Sequence, residues 1–326
     1  MERFKFIDIA RFIGIFLMVL CHAGMHNTVT SVIYAFHMPL FFFLSGYLYH
    51  RGEKKHMPSF LPKESRTLLL PYIIFALILC FGKKNLADWP LLIYASRDSI
   101  FAAESFSPLW FLPCFFLSTI VFSIINNVTR KSNVLYWVLI SGIVVLGFLL
   151  AGFRERLSYG FPLNADVALV GVGIMFIGQL ASGIKLDIKL GGVLLMAGII
   201  LSFLNLPESL TEGNPHVEMS ISSYGNPLVF LFVSSVLCKA IIIISEELEK
   251  RLNKKLVQLM VFYGSNTITV LCVHGIIVRL FNMAFKTFGL EGTLVSFIIT
   301  LICFVILYPI IKFINKEMPC IVGRKQ

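Results

Sequence analysis

Long apolar runs alternate with short polar connectors along the whole chain. Ten runs of about 20 residues, each enough to cross the hydrocarbon of a bilayer, span 5–26, 31–50, 66–83, 108–127, 134–152, 163–183, 189–205, 224–245, 262–286 and 293–315. They are too long for strands and lack the period-2 alternation of a membrane barrel. The pattern predicts an all-α integral membrane protein with about ten transmembrane helices. The second run carries His37 and Pro39 and is expected to be broken or to lie partly in the interface. No internal repeat, linker or low-complexity tract divides the chain, so residues 1–326 read as a single transmembrane domain.

Composition agrees. Of the 326 residues, 57% are hydrophobic and only 14% charged, where soluble domains carry about one-quarter. The net charge of +10 would suggest nucleic acid in a soluble protein. Here the basic residues sit in the connectors, so they read as topogenic charge facing a lipid bilayer, and no nucleic-acid partner is expected. With the N-terminus placed in the cytoplasm, nineteen Lys and Arg fall on that side and five on the other. Both termini are therefore expected in the cytoplasm, with 84–107 and 206–223 as outer loops. Asp8 and Arg11 interrupt the first apolar run, which argues against a cleaved leader. The seven cysteines form no CxxC pair and read as packing residues; no metal site is expected.

Ionisable residues inside apolar runs mark candidate chemistry, because such groups are costly unless they face a bundle interior or a wet cavity. Arg11 and His22 bound a ten-residue uncharged stretch. Eleven residues are about 20° past three helical turns, so both side chains share one face, about 16 Å apart along the axis. Asp8, one turn before Arg11, is placed to pair with it, and His26, one turn after His22, to extend the face. Arg11 reads equally as a snorkelling side chain, and His22 as a satisfied core histidine. In "FHMPLFFFLSG", Gly46 allows a close backbone approach and Ser45 a hydrogen bond across helices, while His37 is placed to line the same cavity. Lys63 and Arg66 stand one turn apart as a phosphate clamp or as generic inside charge. His274 lies a dozen residues into an apolar segment, and Asn164 and Asp166 open the sixth run, Asn164 as a helix cap in the simplest account.

Taken in order, these segments resemble acyltransferase family 3, and within it the fucose 4-O-acetylase-like branch. The residues that carry the resemblance are Arg11 with His22, "FHMPLFFFLSG", "PLWFLPCFF" at 108–116, "FPLNADVALVGVGIMFIGQL" at 161–180 and "GSNTITVLCVH" at 264–274. The resemblance implies a ten-helix membrane enzyme that moves an acyl group, usually acetyl from cytoplasmic acetyl-CoA, to a hydroxyl of an envelope or lipid-linked glycan in the plasma (inner) membrane. It implies His22 as general base or transient acyl carrier. It also implies that Arg11, Lys63 and Arg66 hold the phosphate-bearing end of the donor, and that His37, Ser45, Asn164, Asp166 and His274 lie in supporting or acceptor-side positions. No tightly bound cofactor is implied. At the basic pair the family has Arg-x-x-Arg, and this chain has Lys63, which keeps the charge and loses the bidentate fork. A donor such as succinyl-CoA fits the same pattern. A transporter or flippase for a glycan or lipid-linked sugar would share the buried histidines and polar cavity, but such proteins often show duplicated halves, and none is visible.

Overall fold

The computed structural model describes residues 4–49, 55–82, 89–104, 108–206 and 216–324. Regular structure among them is helical: α1 (Lys5–His22), α2 (Asn27–Tyr34), α3 (His37–Tyr47), α4 (Met57–Glu64), α5 (Leu70–Gly82), α6 (Trp89–Tyr94), α7 (Arg97–Glu104), α8 (Phe111–Val128), α9 (Asn133–Ala151), α10 (Ala165–Ala181), α11 (Ile188–Ser202), α12 (Pro227–Arg251), α13 (Lys254–Gly264), α14 (Thr267–Thr287) and α15 (Thr293–Glu317). Polar residues start several helices where connector gives way to apolar run. Ser132, Asp187 and Asn253 accept the backbone N–H groups of Leu135, Leu190 and Leu256, and Asn226 accepts those of Leu228 and Val229. Such a cap contributes about 1 kcal/mol by satisfying a donor that has no intrahelical partner.

Among the described residues, seven helical segments are long and apolar enough to cross a membrane: Asn27–Tyr47, Pro108–Val128, Asn133–Ala151, Pro162–Ala181, Pro227–Arg251, Thr267–Thr287 and Thr293–Glu317. The other three expected runs are helical with a difference. α1 carries Lys5, Asp8 and Arg11 in its first half. The run at 66–83 opens in a π-helical turn, Ser65–Leu69, which leaves 13 residues to α5. α11 is apolar but 15 residues long. The break in the second run falls at Ala35 and Phe36, between α2 and α3. Pro39 then lies in the first turn of α3, where its missing N–H costs no helical bond. Of the charges used for orientation, Arg3, Arg51, Lys54, Lys84 and Lys325 lie outside the described residues, as do parts of the loops 84–107 and 206–223.

The chain forms two compact units, each discontinuous in sequence. The first comprises Met1–Leu44, Gly183–Val217 and Tyr224–Phe313. In it α1 packs against α12, α13 and α14. α1 and α13 meet backbone to backbone: a β-carbon on Gly264 would stand 1.8 Å from the Asp8 carbonyl oxygen, so only glycine permits the approach. Beside this contact the rings of Phe12, Phe16, Tyr263 and Phe304 interlock with centroids 4.9–6.0 Å apart. The buried Tyr263 hydroxyl donates to the Phe304 carbonyl at 2.7 Å, which satisfies its one polar atom.

The second unit comprises Ser45–Ser182, Glu218–Ser223 and Ile314–Gln326. Here α10 lies against α8 and α9. The end of α3 rests on α10, where a β-carbon on Gly46 would stand 1.7 Å from the Met175 carbonyl oxygen. The close approach read from Gly46 is therefore met. Ser45 beside it is half-buried and enters no hydrogen bond among the described residues.

Candidate active site

Four of the expected site residues, Arg11, His22, His37 and His274, belong to the first unit. α1 runs unbroken from Lys5 to His22, so the shared face of Arg11 and His22 persists. Arg11 donates to Asp8 at 3.1 Å, as the spacing predicts. The Asp8 carboxylate is buried at 2% exposure, whereas Arg11 keeps 35% of its side chain in contact with the surroundings. One end of α1 thus carries a cation tethered by a carboxylate and still partly open.

His22 closes the other end. Its Nδ1 lies 2.8 Å from Nε2 of His274. The ring centroids are 5.1 Å apart and the planes differ by 21°, so the rings meet edge to edge, nearly coplanar. His22 is half-buried and His274 wholly buried. His274 in turn donates from Nδ1 to the Val270 carbonyl, 2.8 Å away and one turn earlier in α14. His26 does not extend this face, because α1 stops at His22. It caps α2 instead, accepting the Thr28 N–H at 3.3 Å. His37 makes the same kind of bond as His274, from Nδ1 to the Ile33 carbonyl at 2.9 Å. Its ring packs against Tyr34 at 4.9 Å, and Tyr34 packs against His216 at 4.7 Å, an aromatic cluster that no spacing in the sequence signalled.

Ser45, Lys63, Arg66, Asn164 and Asp166 belong to the second unit. Lys63 sits exposed in the last turn of α4, and Arg66 half-buried in the π-helical turn that follows. Glu64 lies between them. Burial raises its carboxyl above the usual carboxylate range, against the pull of Lys63 and Lys55. Lys55 is held by a reciprocal pair of bonds with the Asn127 amide, both 2.9 Å. Sequence reasoning passed over Glu64, although it sits inside the basic motif.

Asn164 and Asp166 enter a buried ion cluster. Arg154, 6% exposed, donates to Asp166 at 2.8 Å and to Asp98 at 2.7 Å. Ser222 donates to Asp166 at 2.6 Å. Burial alone would lower the guanidinium pKa, but the Asp166 and Asp98 carboxylates outweigh it, so it stands above its ordinary value. Leu163 and Asn164 both adopt left-handed backbone conformations, with φ of 55° and 48°. Asn164 therefore makes no cap bond to α10, contrary to the simplest sequence account. Its side chain accepts the Arg97 backbone N–H at 3.0 Å and donates to the Ser220 carbonyl at 3.3 Å. The arrangement ties residues 97–98, 154, 164–166 and 220–222 together. No spacing in the sequence joins Arg154 to Asp98 or Asp166.

An imidazole is able to accept and return a proton, and partly open guanidinium and ammonium groups are able to pair with phosphate. Among the described residues no group of three or more His, Cys, Asp or Glu side chains is placed to hold a metal ion. No curated protein and no solved structure gives a significant match to the chain. The acyltransferase-domain family known as acyltransferase family 3 matches residues 4–311, nearly the whole sequence. With several helices apolar enough to span a bilayer, the chain belongs to acyltransferase family 3 and is a multi-pass membrane acyltransferase.

Proposed function

We propose that this acyltransferase takes an acetyl group from cytoplasmic acetyl-CoA and places it on a hydroxyl of an envelope or lipid-linked glycan, as the fucose 4-O-acetylase-like branch of the family does. The enzyme is read as a ten-span protein of the plasma (inner) membrane with both termini in the cytoplasm. Both compact units form one catalytic domain, since the family match runs through them. His22 acts on the acceptor hydroxyl as general base or as transient acyl carrier, and Arg11, Lys63 and Arg66 hold the donor phosphates. As a base, His22 takes the hydroxyl proton while the oxygen bonds to the thioester carbonyl carbon. The C–S bond then breaks, and the proton passes to the departing thiolate. His37 and Ser45 are assigned to the acceptor side, and Asn164 and Asp166 support it through the Arg154 cluster.

The observation that supports this most is on α1: a tethered, partly open cation at one end and, on the same face, an imidazole bonded to a second imidazole at the other. The separation of about 16 Å suits a donor that carries phosphates at one end and a thioester at the other. The test is transfer of labelled acetyl from acetyl-CoA, by purified protein in liposomes, to envelope glycan extracted from cells lacking the gene. Label in the glycan, with free CoA released, is the expected result. Absence of transfer from any acyl-CoA to that extract contradicts the assignment of donor and acceptor class.

A further inference from the structure

We infer that His274 is a positioning residue that sets the tautomer of His22, so that Nε2 of His22 is the nitrogen presented to the reaction. The inference rests on the proposed role of His22 and adds which atom acts and what holds it.

The Val270 carbonyl is only an acceptor, so the bond it makes at 2.8 Å puts a hydrogen on Nδ1 of His274. His274 is wholly buried, and the neutral ring is the form that needs no counter-ion there. A neutral imidazole has one N–H, which leaves Nε2 of His274 as an acceptor. The short contact to His22 then takes its hydrogen from Nδ1 of His22. Neutral His22 is left with a lone pair on Nε2. Flipping the His274 ring would set a carbon against the carbonyl and lose both bonds.

The same pair supports the step itself. When Nε2 of His22 accepts the hydroxyl proton, the ring becomes an imidazolium, and its Nδ1–H bond to His274 becomes charge-assisted. The proton later leaves from Nε2 to the thiolate of the donor, so the pair returns to its starting state. His274 touches neither substrate; it holds the ring plane and the tautomer, as a carboxylate does in a Ser-His-Asp triad, without adding a charge to the membrane interior.

The test uses full-length protein in detergent, labelled acetyl-CoA and acetyl-free envelope glycan extract, with rates normalised to folded protein. His274→Leu removes the acceptor, and His274→Gln keeps a carbonyl within reach of His22 Nδ1. The leucine variant should lose kcat about a hundredfold, with KM for acetyl-CoA within about twofold, and glutamine should recover most of that loss. Wild-type kcat in His274→Leu, or a glutamine variant as impaired as the leucine one, overturns the inference. Nitrogen NMR of histidine-labelled wild type reads the tautomer without any variant. The His22 signals, identified by their loss in His22→Ala, should show Nδ1 protonated and Nε2 bare, and the reverse overturns the inference. If His22→Ala itself turns over at the wild-type rate, the proposed role of His22 fails, which is a different result from failure at His274 alone.

Discussion

His22 and His274 are 252 residues apart in the chain and meet nitrogen to nitrogen at 2.8 Å. Each is delivered by a helix that gives it little freedom. His22 is the last residue of α1, which the Gly264 contact clamps to α13, and His274 is held by its own helix through the Val270 carbonyl. Two imidazoles this close share a hydrogen, so the protonation state of one fixes that of the other.

The clamp is the first thing to test. Gly264→Ala places a β-carbon 1.8 Å from the Asp8 carbonyl, and α1 and α13 have to separate. Gly142 has no atom within 4 Å of its added β-carbon. Thermal unfolding in detergent should show Gly264→Ala destabilised by about 3 kcal/mol or more, since backbone has no rotamer with which to yield. Gly142→Ala should be neutral or slightly stabilising, because alanine is the better helix former.

At the other end of α1, Arg11→Ala should weaken acetyl-CoA binding about tenfold or more, and Arg11→Lys should recover only part of it, because the ammonium lacks the planar fork. Titration of the purified variants with acetyl-CoA measures this. Unchanged donor affinity in Arg11→Ala would return Arg11 to a snorkelling role tied to Asp8.

The basic motif carries a pH dependence of definite sign. Burial raises the Glu64 carboxyl, so it takes up a proton at a higher pH than an ordinary carboxylate. Protonation removes a negative charge beside Lys63 and Lys55, so donor affinity should rise as pH falls through that range. Glu64→Gln should bind acetyl-CoA more tightly at neutral pH and lose this part of the pH dependence, while replacing both Lys63 and Arg66 with Gln should weaken binding. The same pH profile in wild type and Glu64→Gln would contradict the coupling.

The Arg154 cluster should behave differently. Arg154→Ala removes the guanidinium partner of the fully buried Asp166 carboxylate, while Asp98 keeps its ion pair with Arg97. Removing one partner of such a pair costs about 3–5 kcal/mol. The variant should unfold at lower temperature yet retain its turnover per folded molecule. A lost turnover with unchanged stability would instead put Asp166 or Asn164 in contact with the acceptor.

Much of this was legible in the sequence where periodicity and local steric rules act. Helical spacing alone placed Arg11 and His22 on one face and paired Asp8 with Arg11. The His37–Pro39 pattern located the break before α3, and Gly46 announced a close contact. At 66–83 the apolar run is helical as expected, but it opens in the π-helical turn Ser65–Leu69, a local change of winding that hydrophobic run length does not signal. Contacts between distant segments were not legible. Nothing local to Arg154 identifies Asp98 and Asp166 as partners, and nothing local to His274 identifies His22. Asn164 stands at the N-cap position of α10 as expected, but its side chain bonds Arg97 and Ser220 instead of the helix, partners that lie far away in sequence.

The central claim is that His22 takes part in the acyl transfer itself. The most direct measurement compares His22→Ala with wild type in two assays on the same detergent-purified protein: acetyl-CoA binding, and labelled acetyl transfer to envelope glycan per folded molecule. On the proposed reading the donor phosphates sit at the far end of α1 and His22 takes the hydroxyl proton, so donor binding should be nearly unchanged and transfer should be abolished. Transfer at the wild-type rate in His22→Ala would contradict the account and leave His22 as a packing residue.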